Sequence, residues 1–252
     1  MGSLFFSDVH ADARAIALLA SCIRRPRFAE SFGQIDRIIN LGDILHRGNQ
    51  PKESIEIIQA LAQDYQLNSI LGNHDHAFLN DIVVSGSDIA SAASHERLRN
   101  SPLLTIFDHM PLEFVQDSIL CVHGGPLNLG TYILRLKCWQ RLSHNTGDSF
   151  TGYHYTAQMA FAELEKRGLS HMVCGHQHSQ ICCRKTEDGI REYPLEFVPV
   201  PSLTDTKYHL EVARVPLTVP SLFRIGSCHG DEPEFAYADE SVFSYIRIRH
   251  RD

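Results

Sequence analysis

Short apolar runs that empty into metal-binding side chains recur five times along this chain, and no other feature constrains it as much. Leu4-Phe5-Phe6 precedes Ser7-Asp8-Val9-His10, and Ile38-Ile39-Asn40-Leu41 precedes Gly42-Asp43-Ile44-Leu45-His46-Arg47-Gly48. Ile70-Leu71 precedes Gly72-Asn73-His74-Asp75, and Ile119-Leu120-Cys121-Val122 precedes His123-Gly124-Gly125. The last is Met172-Val173-Cys174 before Gly175-His176-Gln177-His178. An apolar run closed by a polar residue or glycine reads as a buried strand ending in a loop. Ligands at the carboxyl ends of several strands meet at one edge of a sheet, where open α/β proteins place their sites. The convergent set is Asp8, His10, Asp43, Asn73, His123, His176 and His178, with His74 in reserve. Carboxylate, amide oxygen and imidazole in that proportion suit two divalent cations sharing one carboxylate.

The rest of the chain fits one α/β domain. At 252 residues it can bury a full core, and with 43% hydrophobic and 21% charged residues it is not disordered. Strand and helix patterns alternate at first: strand 3–8, helix Ala13–Arg24, strand 36–42, a helix from Pro51, and strand 68–72. This βαβαβ unit is expected to be parallel. Asp8 and His10 alternate, so on a strand both would project from one edge. Residues 77–104 read as a helix-prone surface segment beside the cleft, and Glu113–Gln116 with Ser118–Val122 as a hairpin opening a second sheet. Thr156–Arg167 reads as a helix feeding strand 170–175, whereas Pro126–Gly152 shows no clear period. Strands at 181–184, 197–200, 222–225, 235–238 and 243–248 are expected to complete the second sheet, with 201–221 as a long connection or cap. Substrate-selecting insertions are therefore expected around 77–110, 126–155 and 201–221 of a single domain, 1–252.

The formal charge of −7 leaves no basic stripe, so a nucleic-acid backbone is not an expected partner. The seven cysteines include no CxxC pair, and Cys121 and Cys174 read as buried small hydrophobes. The first residues carry no basic and apolar leader, and no apolar run approaches membrane-spanning length, so a cytoplasmic protein is expected.

Taken in order, the motifs DxH, GDxxxRG, GNHD, HGG and GHxH resemble those of the calcineurin-like metallophosphoesterases. Phe223-Arg224-Ile225-Gly226-Ser227 is similar to the late strand and Gly-Ser turn of the bacterial phosphodiesterase-like branch. Arg47-Gly48 is similar to the Ser/Thr protein phosphatases and diadenosine tetraphosphatases. The resemblance implies a four-layer α/β/β/α sandwich of two mixed sheets and a metal-dependent phosphoric ester hydrolase. It implies one metal held by Asp8, His10, Asp43 and His178, and a second held by Asp43, Asn73, His123 and His176, with Asp43 bridging. The metals would be two of Mn, Fe, Zn, Co or Ni, and a hydroxide between them would attack a small phosphate mono- or diester.

In the family the position of His74 faces the leaving-group oxygen, so His74 is expected to donate a proton there, oriented by Asp75. The alternative is a histidine that only supports its neighbours. Arg47 is either a phosphate clamp, for which its forked donors are suited, or a solvated surface residue. Two positions depart from the family: His46 replaces an acidic residue of the protein phosphatases, and Ala11 replaces the usual glycine after DxH. Gly124 and Gly125 either permit an unusual backbone angle that lets His123 approach the metal or form a plain turn after a strand, and His95, His144, His209 and His250 are expected to be bystanders. The other readings are a dinucleoside-polyphosphate hydrolase, a protein-phosphatase-like enzyme, or a scaffold of the same fold. A scaffold would have lost ligands, and here each ligand position is filled.

Overall fold

Strand β1 (Ser3–Phe6) is buried on both faces: Leu4 and Phe6 pack toward helices, while Phe5 packs toward a second sheet. That alternation repeats through the computed structural model, which describes residues 2–143, 152–204 and 207–251. The first half continues with α1 (Ala13–Ile23), α2 (Pro26–Phe32), β2 (Arg37–Asn40), α3 (Pro51–Asp64), β3 (Gln66–Ser69), α4 (Asn73–Leu79), α5 (Ile89–Leu98), β4 (Glu113–Gln116) and β5 (Ile119–Val122). The short strands β6 (Arg141–Leu142) and β7 (His154–Tyr155) pair with each other, followed by α6 (Ala157–Lys166), β8 (His171–Cys174), β9 (Ile181–Thr186) and β10 (Gly189–Tyr193). The chain ends with β11 (Val198–Val200), β12 (Tyr208–Pro216), β13 (Ser221–Arg224), β14 (Glu234–Ala238) and β15 (Val242–His250).

Two mixed sheets form the expected four-layer sandwich. The first has strand order β11-β12-β15-β14-β1-β2-β3 and the second β10-β9-β13-β8-β5-β4. Helices α1 and α3 cover the first sheet through Ile16, Leu19, Ile55 and Ile58, and α6 covers the second through Phe161 and Leu164. Phe5, Ile39, Val173, Phe223 and Phe243 fill the space between the sheets. Local sequence explains the helix starts: Asp12 caps α1 by accepting from the Ala15 N–H at 3.1 Å, and Pro51 stands in the first turn of α3. The seven cysteines are free and buried, as expected of Cys121 and Cys174. Among the described residues no helix is long and apolar enough to cross a membrane.

The late strands correct the expectation. Only β9, β10 and β13 join the second sheet; β11, β12, β14 and β15 extend the first, with β14 pairing antiparallel to β1 from Ser3↔Ala238 to Phe5↔Ala236. Both sheets bury two faces, so a strand's own pattern does not say which sheet it joins. In β14, Phe235 and Tyr237 face the helices while Ala236 and Ala238 face the other sheet. The stretch 201–221 is not a plain connection, because it contains the nine-residue β12. Its prolines stand at the margins of ordered elements: Pro201 opens a 3-10 turn, Pro216 ends β12, and Pro220 precedes β13.

Candidate metal centre

Strands β1, β2 and β3 run parallel, as do β5, β8 and β13, so the loops leaving their carboxyl ends come from matching edges of the two sheets. Hydrogen bonds join those loops across the sandwich. The His176 N–H donates to Asp8 Oδ2 at 2.9 Å, the Cys228 N–H to the Ser7 carbonyl at 2.8 Å, and His123 Nδ1–H to the Leu41 carbonyl at 2.8 Å. Gly175 permits this approach, since a Cβ there would lie 2.0 Å from Ser7 Oγ. Gly42 has φ 97° and would place a Cβ 2.4 Å from the Gly72 nitrogen, so it lets the Asp43 and Asn73 loops touch. Gly124 and Gly125 correct the expectation: neither has a positive φ, and each is required for close packing, since a Cβ would lie 2.3 Å from the Gln140 carbonyl at Gly124 and 2.4 Å from the Tyr155 ring at Gly125.

The ligand loops are strained. Asp8, His10, Ala11, Asp43, His176 and His178 all have φ between 50° and 69°. Asp8 and His10 therefore do not project from a strand, because β1 ends at Phe6.

The structure brings all seven expected ligands together. Asp8, His10 and His178 converge, as do Asp43, His123 and His176, and each trio has its ligand atoms within 4.8 Å of one another. Asn73 joins the second group, its Oδ1 lying 3.1 Å from His123 Nε2. Asp43 stands between the groups, with Oδ2 3.9 Å from His10 Nε2 and 3.3 Å from His123 Nε2. His10 Nδ1–H donates to the Leu45 carbonyl at 3.3 Å, just as His123 Nδ1–H is taken by Leu41. Both histidines are thereby held in the tautomer that turns the Nε2 lone pair inward. His178 Nε2 lies 3.0 Å from His10 Nε2 and 3.1 Å from Asp8 Oδ1, while His176 Nε2 is buried with no hydrogen-bond partner. Lone pairs converging in a buried space require a proton or a cation between them. The residues present fit divalent metal ions.

The electrostatics agree. Burial favours the protonated form of Asp8 and Asp43, but the histidines opposite hold both carboxyls well below the usual range: His178 and His123 for Asp8, His123 and His74 for Asp43. Burial holds His10 and His176 well below the usual imidazole range, so both are neutral, as imidazoles that bind a cation must be. His123 is the exception: burial lowers it, yet the Asp43 carboxylate outweighs burial and lifts it to about 9.

His74 also lies at the centre, its ring 4.9 Å from that of His10, with His10, Asp43 and His74 forming a third group of convergent ligand atoms. Burial lowers its pKa, the Asp43 charge opposes this, and Arg47 lowers it further. Arg47 is half-buried, its charge acts on both His10 and His74, and its Nε has no partner.

Asp75 departs from expectation, because none of its hydrogen bonds runs to His74. Its Oδ2 accepts from the N–H groups of Asp43 (2.8 Å) and Gly72 (3.2 Å), and its Oδ1 from those of Ile44 (2.9 Å) and Leu45 (3.0 Å). The side chain at the third position of α4 reaches back over its own helix start and ties down the Asp43 loop, not its neighbour's ring.

Reading the sequence alone also passes over two histidines. His95, expected as a bystander, is buried on α5; its Nε2 accepts from the His46 N–H at 2.7 Å and its Nδ1–H donates to the Ser91 carbonyl at 2.8 Å. The spacing of buried Ser91, His95 and Leu98 on one face of α5 was the available signal. His229 lies with its ring 5.9 Å from that of His10 and its Nδ1 3.3 Å from Asp12 Oδ2. Its position after the Gly226-Ser227 turn, in the loop leaving β13, was the clue. His209 is remote, beside Glu211 on β12, and His144 lies outside the described residues.

Comparison with known proteins agrees with this geometry. A sequence model of the calcineurin-like phosphoesterases matches residues 1–180, the stretch that holds every expected ligand, and the chain belongs to that family. It is a metal-dependent phosphoric ester hydrolase. Its fold is similar to that of a metallophosphoesterase from Sphaerobacter thermophilus (20% identity, all of this chain and 90% of that one, TM-score 0.64). It is similar also to hypothetical protein PH1004 from Pyrococcus horikoshii OT3 (13% identity, 100% and 89% covered, TM-score 0.64). A Saccharomyces cerevisiae serine/threonine phosphatase with similarity to human phosphatase PP5 shares the fold as well (12% identity, 100% and 82% covered, TM-score 0.59). No curated protein matches the chain.

Proposed function

We propose that the protein holds two divalent transition-metal ions and hydrolyses a phosphate mono- or diester at them. The observation that carries this reading is the position of Asp43 Oδ2 between two separate groups of inward-facing lone pairs, 3.9 Å from His10 Nε2 and 3.3 Å from His123 Nε2. Asp8, His10 and His178 would hold one ion, Asn73, His123 and His176 the other, and Asp43 both. Imidazole and oxygen donors without thiolate suit Mn, Fe, Zn, Co or Ni. Two such ions, when bound, supply positive charge against the phosphoryl oxygens and lower the pKa of water.

The chain's own residues supply the rest. Arg47 binds a non-bridging phosphoryl oxygen through its guanidinium, whose Nε has no partner in the protein. His74 hands a proton to the departing oxygen. Burial lowers its pKa, the Asp43 charge opposes this and Arg47 lowers it further, and an anionic substrate beside it favours the protonated form. Asp75 holds the Asp43 loop at the spacing the cations need. Segments 77–110, 126–155 and 201–221 select the substrate. A dinucleoside polyphosphate is the second reading, because Arg47 can hold a phosphate beyond the reacting one.

The test is metal analysis of the purified protein followed by a hydrolysis panel of p-nitrophenyl phosphate, its bis ester, cyclic nucleotides, dinucleoside tetraphosphates and a phosphopeptide. Two equivalents of metal and metal-dependent turnover of at least one ester are expected. A single equivalent at full activity would sink the dinuclear reading.

A further inference from the structure

A cavity of about 250 Å³ lies between α4 and α5, lined by His46, Phe78, Val84, Ser87, Ala92 and His95 among others. It adjoins the metal centre twice. The His46 ring stands edge-on to His74 with centroids 5.5 Å apart, and the Arg47 N–H donates to Ser87 Oγ at 3.1 Å. We propose that this cavity receives the organic part of the phosphoester, and that it favours a flat, uncharged ring. The inference rests on the phosphoesterase reading for which group reaches it.

Shape and charge carry the choice of ligand. The rings of His46, Phe78 and His95 pack against one another at centroid distances of 5.3–5.8 Å and form an aromatic wall of the cavity, Phe78 and His95 almost fully buried and His46 half-buried. Such a wall suits the face or edge of another ring. Burial, then the charges of His74 and His95, push His46 down to about 4, and burial lowers His95, so the wall carries no charge at neutral pH. At the rim, the Arg99 guanidinium lies 4.9 Å from the Phe78 ring centroid but is paired with Asp81 at 2.7 Å and Glu96 at 3.0 Å. One cation against two carboxylates repels a second phosphate. The volume is below the roughly 300–1,000 Å³ of sites that enclose a whole drug-sized ligand, so it accepts one group of a substrate.

Adenosine 5′-monophosphate and ribose 5-phosphate test this, because they share one phosphate linkage and differ only in the ring system. Calorimetry on the manganese-loaded protein should find the adenine compound bound at least about tenfold more tightly. Ala92 is exposed on α5 and belongs to no part of the metal centre, so Ala92→Trp fills the cavity from outside. That variant should erase the preference while leaving ribose 5-phosphate within about twofold of wild type, and Ala92→Ser should keep the preference. Equal affinities in wild type, or equal weakening of both compounds by Ala92→Trp, overturn the assignment. Phosphate release from the ester panel is followed separately. Hydrolysis with equal affinities leaves the catalytic reading standing without the cavity, and a persistent adenine preference with no hydrolysis does the reverse.

Discussion

Replacing Asp75 with asparagine separates two roles that the sequence does not distinguish. Asp75 is fully buried, and its two oxygens accept four backbone N–H groups, from Gly72, Asp43, Ile44 and Leu45. An amide keeps one oxygen and turns the other into a donor, so two of the four N–H groups lose their acceptor whichever way it is placed. A buried donor left unsatisfied costs about 1–3 kcal/mol. Burial and the Asp43 carboxylate raise Asp75 to about 7, and relief of that repulsion returns part of the loss. A net destabilisation of about 3 kcal/mol is expected, or roughly 6–12 °C in Tm for a chain of this size. Because the freed N–H groups belong to the Asp43 loop, metal affinity should fall with stability.

The assay is thermal unfolding of the metal-loaded protein with metal titration, set beside hydrolysis of esters that differ in leaving-group pKa. If Asp75 positions the Asp43 loop, Asp75→Asn loses stability and metal, and whatever turnover remains keeps the wild-type dependence on the leaving group. A variant with normal Tm and metal occupancy but selective loss on poor leaving groups would refute the reasoning and restore Asp75 as the orienting partner of His74.

Further outcomes follow from the same geometry. Asp43→Asn should weaken both metal sites together, measured as metal equivalents after dialysis, whereas His176→Ala should empty only one. His74→Ala should retain metal and slow poor leaving groups most, read from the slope of log kcat against leaving-group pKa; an unchanged slope would remove it as the proton donor. Ala11→Gly should stabilise the fold by about 0.5–1 kcal/mol, because φ 54° is strained for alanine, and denaturant unfolding checks this. Burial, then Arg184, pushes His171 down to about 4, below its value of about 6.5 in the unfolded chain. The stability this confers is full above about pH 6.5 and is lost as pH falls toward 4, by about 2 kcal/mol after solvent screening; His171→Asn should flatten that acid limb.

The candidate metal-binding positions were legible because each motif stands where a strand must end, and strand ends are marked by composition as well as by pattern. Leu4-Phe5-Phe6 and Met172-Val173-Cys174 are buried runs, and the residues after them are polar, so both signals agree. Sheet membership was not legible. The antiparallel partner of β1 is β14, more than two hundred residues later, and nothing local in Glu234–Ala238 distinguishes it from β13. The partner of Asp75 was misjudged for a related reason. Adjacency along the chain suggested His74, but at the start of α4 successive side chains point apart, and the free donors nearest to Asp75 belong to the loop after β2. Hydrogen-bond demand decided the contact, not sequence proximity.

Backbone strain ties these observations to chemistry. Asp8, His10, Asp43, His176 and His178 occupy a left-handed conformation that costs an L-residue roughly 1–2 kcal/mol each, so together they cost about as much as a typical domain's whole stability. Glycine at those positions would relieve the strain but would remove the ligand. The fold offsets it with hydrogen bonds made by the same residues: the Asp8 N–H to the Gly42 carbonyl, His10 to Asp43 and His176 to Asp8, each at 2.9 Å. Each of these bonds runs from one ligand loop to another, so no loop holds its conformation alone. Side chains fixed in this way hold their spacing through the loops that carry them, with their polar atoms facing one another across the centre.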